Sequence, residues 1–254
     1  MPFFQLVMQQ IRRALALTGG GLLLGCTLFG CAAGQSIGTS VASGASSNTS
    51  SNERARAVIL FVGDGMGVST VTAGRIYAGQ KLGLDGEEHA LSFEDFPNLA
   101  LIKTYNTDLQ VPDSAGTMTA IVTGKKTRAG VLSIGPEAPR GDCTAAREHS
   151  ATTFLEMAEA RGWRTGVVST ATITHATPAA TYAHSADRNW ESDATMPAAA
   201  RERGCRDIAT QLIEFDQQPN VAGSSDGVDV MLGGGRAMFL PSVSYTHLTL
   251  PTKA

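Results

Sequence analysis

The sequence has no long basic run, no internal repeat and no apolar stretch of membrane-spanning length. Lys plus Arg number 20 against 23 Asp plus Glu, for a net charge of −3, so the electrostatic footprint of a nucleic-acid binder is missing and no nucleic-acid partner is expected. Cysteine is scarce, at 4, and no Cys-x-x-Cys pair occurs, which argues against a zinc site built from thiolates. Gly63-Asp64-Gly65 is rich enough in glycine to cradle a phosphate, but no Gly-Lys-Ser/Thr follows, which excludes a P-loop. What remains is a chain of 254 residues, 43% hydrophobic and 17% charged. That is enough for one α/β domain with a real core, or for part of a larger one.

The N-terminus reads as a targeting segment rather than as fold. Arg12 and Arg13 form a positive n-region ahead of the uncharged stretch from Ala14 to Phe29. That stretch falls short of the roughly 20 apolar residues a spanning helix needs. It ends in Leu28-Phe29-Gly30-Cys31, with Leu23-Leu24-Gly25-Cys26 just before, and both look like a bacterial lipobox. Cys31 is the preferred lipidation site because it leaves the fuller apolar run before it. An ordinary cleaved secretory signal is the alternative. Either reading puts the mature chain outside the cytoplasm, and the first makes it a periplasmic protein held at the membrane by a lipid anchor. Residues Ala32 to Asn52 are rich in Ser, Gly, Ala and Thr and cannot bury enough apolar surface to offset their ordering entropy, so they read as a flexible linker that runs to the domain start near Arg56. The organisation expected is signal 1–31, linker 32–56, folded domain 57–241 and a tail 242–254. The tail has neither helical period nor onward turn logic, and its texture is that of non-native sequence.

Within 57–241 apolar runs alternate with helical patterns. Ala57-Val58-Ile59-Leu60-Phe61-Val62, bounded by glycine, has the continuous apolarity of a strand buried on both faces. Leu99 to Tyr105, Thr165 to Ser169 and Val228 to Leu232 are further strand candidates. Helices are expected over Ser114 to Thr123, with Asp113 or Ser114 near its N-terminus, over Thr152 to Arg161, closed by Gly162, and over most of Pro197 to Phe215, with Gly204 as a weak point. The alternation predicts an α/β fold: a mostly parallel sheet covered by helices on both faces, with sites at the carboxyl ends of strands. Two cysteines, Cys143 and Cys205, remain in the domain. An oxidising compartment favours one disulfide between them, and two buried thiols is the alternative.

Several residues stand where chemistry could occur. Asp64, between glycines at a strand end, suits a metal ligand as well as a plain capping role. Ser114 opens a helix after Pro112-Asp113, where backbone N–H groups and the helix dipole favour negative charge. It is either a nucleophile or a capping serine, and its flanks are not the Gly-x-Ser-x-Gly elbow. His175 and Thr177, two apart after the third strand, would face one side of an extended segment. Arg188 could clamp a phosphate with its planar fork, or could make a surface ion pair.

Taken together, these segments resemble alkaline phosphatases. The resemblance is carried by Phe61-Val62-Gly63-Asp64-Gly65-Met66-Gly67, Val111-Pro112-Asp113-Ser114-Ala115-Gly116-Thr117, His175-Ala176-Thr177-Pro178-Ala179, Thr181-Tyr182-Ala183-His184, Arg188-Asn189-Trp190 and Leu232-Gly233-Gly234-Gly235-Arg236, in that order. It implies hydrolysis of phosphate monoesters through a phosphoserine at a site with two zinc ions and one magnesium. Asp64 would bridge a zinc and the magnesium. Ser114 would ligate metal and attack phosphorus, and Asp113 would orient its neighbours. Thr177 would bind magnesium, His175 would hold a water on it, and Arg188 would grip two phosphate oxygens. The resemblance also implies a Cys143–Cys205 disulfide and a homodimeric full-length protein. Further ligands, a glutamate with aspartates and three histidines, are implied beyond Gly235, where the only histidine is His247. The expectation is an incomplete domain that exposes apolar surface and does not turn over substrate by itself.

Overall fold

The structure is a computed structural model that describes residues 57–221, 223 and 225–240. The expected signal with Cys31, the linker 32–56 and the tail 242–254 lie outside the described residues. Contacts divide the chain between Val58 and Ile59, and the account below concerns the unit from Ile59 onward. Among the described residues no helix is long and apolar enough to cross a membrane.

Among the described residues, seven α-helices and two strands follow in order: α1 (Val68–Gln80), α2 (Ser114–Thr123), α3 (Cys143–Glu148), α4 (Phe154–Glu159), β1 (Gly166–Thr172), α5 (Ala176–Ala179), α6 (Ala198–Glu202), α7 (Ile208–Ile213) and β2 (Val230–Gly234). The strands pair in parallel, with Gly166 opposite Val230 and Val168 opposite Leu232, and an irregularity before Thr172 meets Gly234. The chain between them runs through α5 to α7, the crossover that a parallel pair requires. The expected α/β class with a parallel sheet is present in this partial form.

Local chemistry explains the helix ends. The Asp113 side chain accepts from Gly116 N and starts α2. Thr153 and Glu156 form a reciprocal capping box at α4, which occupies the core of the span expected from Thr152 to Arg161. The span from Pro197 to Phe215 is two helices rather than one. Gly204, at φ +73°, takes a left-handed conformation between α6 and α7 that a side-chain-bearing residue adopts only at a cost. Helix α1 was not foreseen, because its sequence shows no clean apolar stripe.

Two strand expectations need correction. Ile59 to Val62, within the strand expected over Ala57 to Val62, and Leu99 to Tyr105 form no strand, and they are exposed: Phe61 is 83% and Leu99 93% accessible. Strand assignment depends on a backbone partner, and among the described residues the sheet holds β1 and β2, with isolated bridges at Leu132–Ser185 and Ile134–Ser150 and none at either of these segments.

The core lies elsewhere. Met118 and Val122 of α2 pack with Leu132, Leu155, Tyr182, Ile208 and Phe215. The Tyr182 hydroxyl donates to Ile173 O at 2.9 Å, so the buried phenol is satisfied. A second cluster gathers Val131, Ile134, Trp190 and Met196 around Cys143 and Cys205. These cysteines are disulfide-bonded, with Cα atoms 5.6 Å apart, and tie α3 to the turn after α6 across 62 residues.

Candidate active site

The site is built on the N-terminus of α2. Asp113 precedes the helix in extended backbone, and four donors meet its carboxylate. Asn106 Nδ2 at 3.0 Å and Gly116 N at 3.1 Å reach Oδ1, while Gly130 N at 2.9 Å and Arg188 Nη1 at 3.1 Å reach Oδ2. Burial pushes this carboxyl up, but the hydrogen bonds from Gly116, Arg188 and Asn106 outweigh it and hold the acid below its ordinary value. Asp113 is therefore an anion that anchors Arg188.

Ser114 is the first residue of α2, and Arg188 Nη1 lies 3.3 Å from its hydroxyl oxygen. Arg188 Nη2 lies 3.2 Å from His175 Nε2. A guanidinium only donates, so this contact requires Nε2 to be the accepting nitrogen and puts the imidazole proton on Nδ1. Nδ1 is buried and has no hydrogen-bond partner among the described residues. It is a donor available to a water or a ligand oxygen.

His175 and Thr177 start α5, directly beyond the carboxyl end of β1. Glu191 secures this junction by accepting from the Thr172 and Thr174 hydroxyls at 3.0 and 2.6 Å. The Thr177 hydroxyl donates to Asp64 Oδ2 at 2.9 Å, across 113 residues of sequence. Asp64 sits in the turn before α1, after an exposed segment without strand pairing rather than at the end of a buried strand. Asp113, Ser114, Arg188 and His175 thus form one chain of contacts, and Asp64 with Thr177 forms a second. The two-residue step from His175 to Thr177 joins them. Sequence reasoning missed Asn106, Gly130 and Glu191. Asn106 and Gly130 contact the site only through folding, and Glu191 stands three residues from Arg188 with no motif to single it out.

The metal donors present divide by kind. The Asp64 carboxylate and Thr177 hydroxyl are hard oxygen donors, which fit magnesium in chemistry. Zinc prefers nitrogen and sulfur in sets of three or four, and no group of three or more His, Cys, Asp or Glu is assembled among the described residues. These residues do not fit a complete zinc site.

Comparison with known proteins bears on the same residues. The family model described as alkaline phosphatase matches residues 55–249. The chain is 48% identical over 187 residues to the tissue-nonspecific alkaline phosphatase of Gallus gallus, covering 74% of this chain and 34% of that protein. It is 50% identical over 184 residues to alkaline phosphatase 4 of Drosophila melanogaster, covering 72% of this chain and 29% of that one. Among solved structures, the cold-active alkaline phosphatase of the psychrophile Shewanella sp. superposes with a TM-score of 0.51 at 32% identity, over 73% of this chain and 38% of that chain. The chain therefore spans about a third of the length of the curated relatives it matches. The family match, which covers more than three-quarters of the sequence and every residue of the cluster around Ser114, is decisive: this chain belongs to the alkaline phosphatase family.

Proposed function

We propose that the chain is the nucleophile-bearing part of a phosphomonoesterase that works through a phosphoserine at Ser114, in a site that takes two zinc ions and one magnesium. The observation that carries the reading is the contact of Arg188 with both Asp113 and Ser114 at the start of a ten-residue helix. A phosphate monoester is a dianion, so the site must offer positive charge before a nucleophile can approach. The Arg188 guanidinium and the positive end of α2 offer it at the Ser114 hydroxyl. Exchanging its Ser114 contact for phosphate oxygens would let Arg188 hold the group while Asp113 keeps the guanidinium in place. Ser114 Oγ then bonds to phosphorus as the bond to the leaving alcohol breaks, and the alcohol departs with a proton. Water displaces Ser114 in the second half and releases phosphate. Asp64 and Thr177 would hold the magnesium, His175 would donate through Nδ1 to a nearby water, and Asp64 and Ser114 would contribute to the zinc pair. The metals would supply charge neutralisation and a lowered pKa for the attacking oxygen.

Because the described residues gather no complete zinc site, this chain alone is proposed not to turn over substrate. The reading also includes export to the periplasm, a lipid anchor at Cys31 and a homodimer for the full-length protein. The test replaces the matching segment of the Gallus gallus enzyme with residues 57–240 of this chain. The 254-residue chain is expected to leave p-nitrophenyl phosphate unhydrolysed with zinc and magnesium present. The chimera is expected to hydrolyse it and to lose turnover with Ser114→Ala. Zinc-dependent turnover by the chain alone would overturn the first expectation, and an active Ser114→Ala chimera would overturn the nucleophile.

A further inference from the structure

One of the four donors to Asp113 comes from a residue outside every motif that marks the site. Asn106 is 3% exposed and places Nδ2 3.0 Å from Asp113 Oδ1. The orientation of its amide follows from its partner. A carboxylate that receives four donors is an acceptor only, so the NH2 end must face it. The carbonyl end, Oδ1, is then buried with no hydrogen-bond partner among the described residues. An unpaired buried carbonyl destabilises a fold, so its retention needs a reason at the other end of the amide.

The backbone of α2 is shaped around this side chain. A Cβ at position 116 would lie 2.3 Å from Asn106 Oδ1, a distance no real contact tolerates. Asn106, with the Arg128 carbonyl oxygen 3.1 Å from the same Cβ, accounts for the glycine in Asp113-Ser114-Ala115-Gly116: the helix leaves room there for the amide. Asn106 and Gly116 N occupy one oxygen of Asp113, which leaves the other for Gly130 N and Arg188 Nη1. Gly130 O in turn accepts from Arg188 N at 2.8 Å. The carboxylate that Asn106 orients therefore sets the Arg188 guanidinium, and with it the group 3.3 Å from the Ser114 hydroxyl.

We propose that Asn106 is a positioning residue for the phosphoryl site: its buried amide locks the Asp113 carboxylate, and through it the placement of Arg188 beside Ser114. This rests on the reading of Ser114 and Arg188 as that site. The test uses the whole chain and reads Arg188 itself. In nitrogen-15 spectra of the wild type, a guanidinium held at both ends should give resolved, slowly exchanging Nη signals, and the Gly116 and Gly130 amides should be protected. Asn106→Asp keeps the shape but sets a second carboxylate against Asp113. It should collapse the Arg188 signals and the protection while leaving the core around Cys143 and Cys205 unchanged. Asn106→Ser provides the same comparison should Asn106→Asp not fold. Gly116→Ala should lower the melting temperature more in the wild type than in an Asn106→Ala background, where only the Arg128 carbonyl oxygen, 3.1 Å from the added Cβ, remains in the way. Unchanged Arg188 signals in the folded Asn106→Asp or Asn106→Ser chain, or an equal effect of Gly116→Ala in both backgrounds, would overturn the proposal. Titration of the Gallus gallus chimera carrying residues 57–240, loaded with zinc and magnesium, with inorganic phosphate, followed by phosphorus-31 NMR, separates the two readings. Asn106→Asp should weaken binding about tenfold or more, in line with the cost of displacing a positioned group. Absent binding in the wild type would count against the phosphoryl site, while the Arg188 signals would still decide the role of Asn106.

Discussion

Leu132 and Leu99 are the same residue type in apolar stretches of similar texture, yet Leu132 is 0% and Leu99 93% exposed. Leu132 lies between α2, α4 and the Tyr182 segment and pairs by backbone with Ser185 in both directions. Leu99 lies in an exposed segment with no strand beside it among the described residues. An apolar run states that burial is favourable, but the partner that provides it is non-local. The region around α2 finds its partners within the described residues. The segments 59–62 and 99–105 do not.

Four variants sharpen this contrast, from the largest effect to the smallest. Replacing both Cys143 and Cys205 with Ser removes a link across 62 residues. In the chain-entropy account it should cost about 4 kcal/mol, read as a lower denaturation midpoint. His184→Gln should cost about 3 kcal/mol, because it leaves the fully buried Glu156 without the partner at 2.7 Å. Leu132→Ala should cost roughly 2–3 kcal/mol by opening a cavity, whereas Leu99→Ala should stay within about 0.5 kcal/mol. Equal costs for the two leucines in denaturant titrations would erase the difference between the regions.

The His184–Glu156 pair adds a pH dependence. Burial lowers the His184 pKa, but the Glu156 hydrogen bond and charge outweigh it, so the net shift is upward. Burial raises the Glu156 pKa, but His184 and the Thr153 and Asn220 hydrogen bonds outweigh it, so the net shift is downward. The His184 contribution is fully present below its unfolded value near 6.5 and is lost as pH rises through the folded value. The Glu156 contribution is present above its unfolded value near 4.5 and is lost as pH falls through the folded value. The pair should therefore stabilise most between about pH 4.5 and 6.5. Melting curves across pH should show that window flattened in His184→Gln.

The sequence made the local features readable. Capping at the start of α2, the helix within Thr152 to Arg161 and the break at Gly204 all follow from chemistry acting on backbone a few residues away, while the capping box at Thr153 emerged only in the structure. The site residues were legible because their motifs resemble those of a family, and the structure links them through contacts as distant in sequence as Asp64 with Thr177. What escaped was set by tertiary packing. Asn106 and Gly130 carry no signal of their own, Glu191 acts through two threonine hydroxyls, and the paired strands could not be told from the unpaired ones by apolarity.

The central claim is that Ser114 takes the phosphoryl group. The chimera carrying residues 57–240 would be mixed with a phosphate monoester, zinc and magnesium, quenched in acid, digested and analysed by mass spectrometry. The account predicts a phosphoryl increment on the peptide bearing Ser114, absent from Ser114→Ala and reduced in Arg188→Ala. A folded chimera that turns over substrate while phosphorylated elsewhere, or that does so with no phosphoprotein at any quench time, would contradict it.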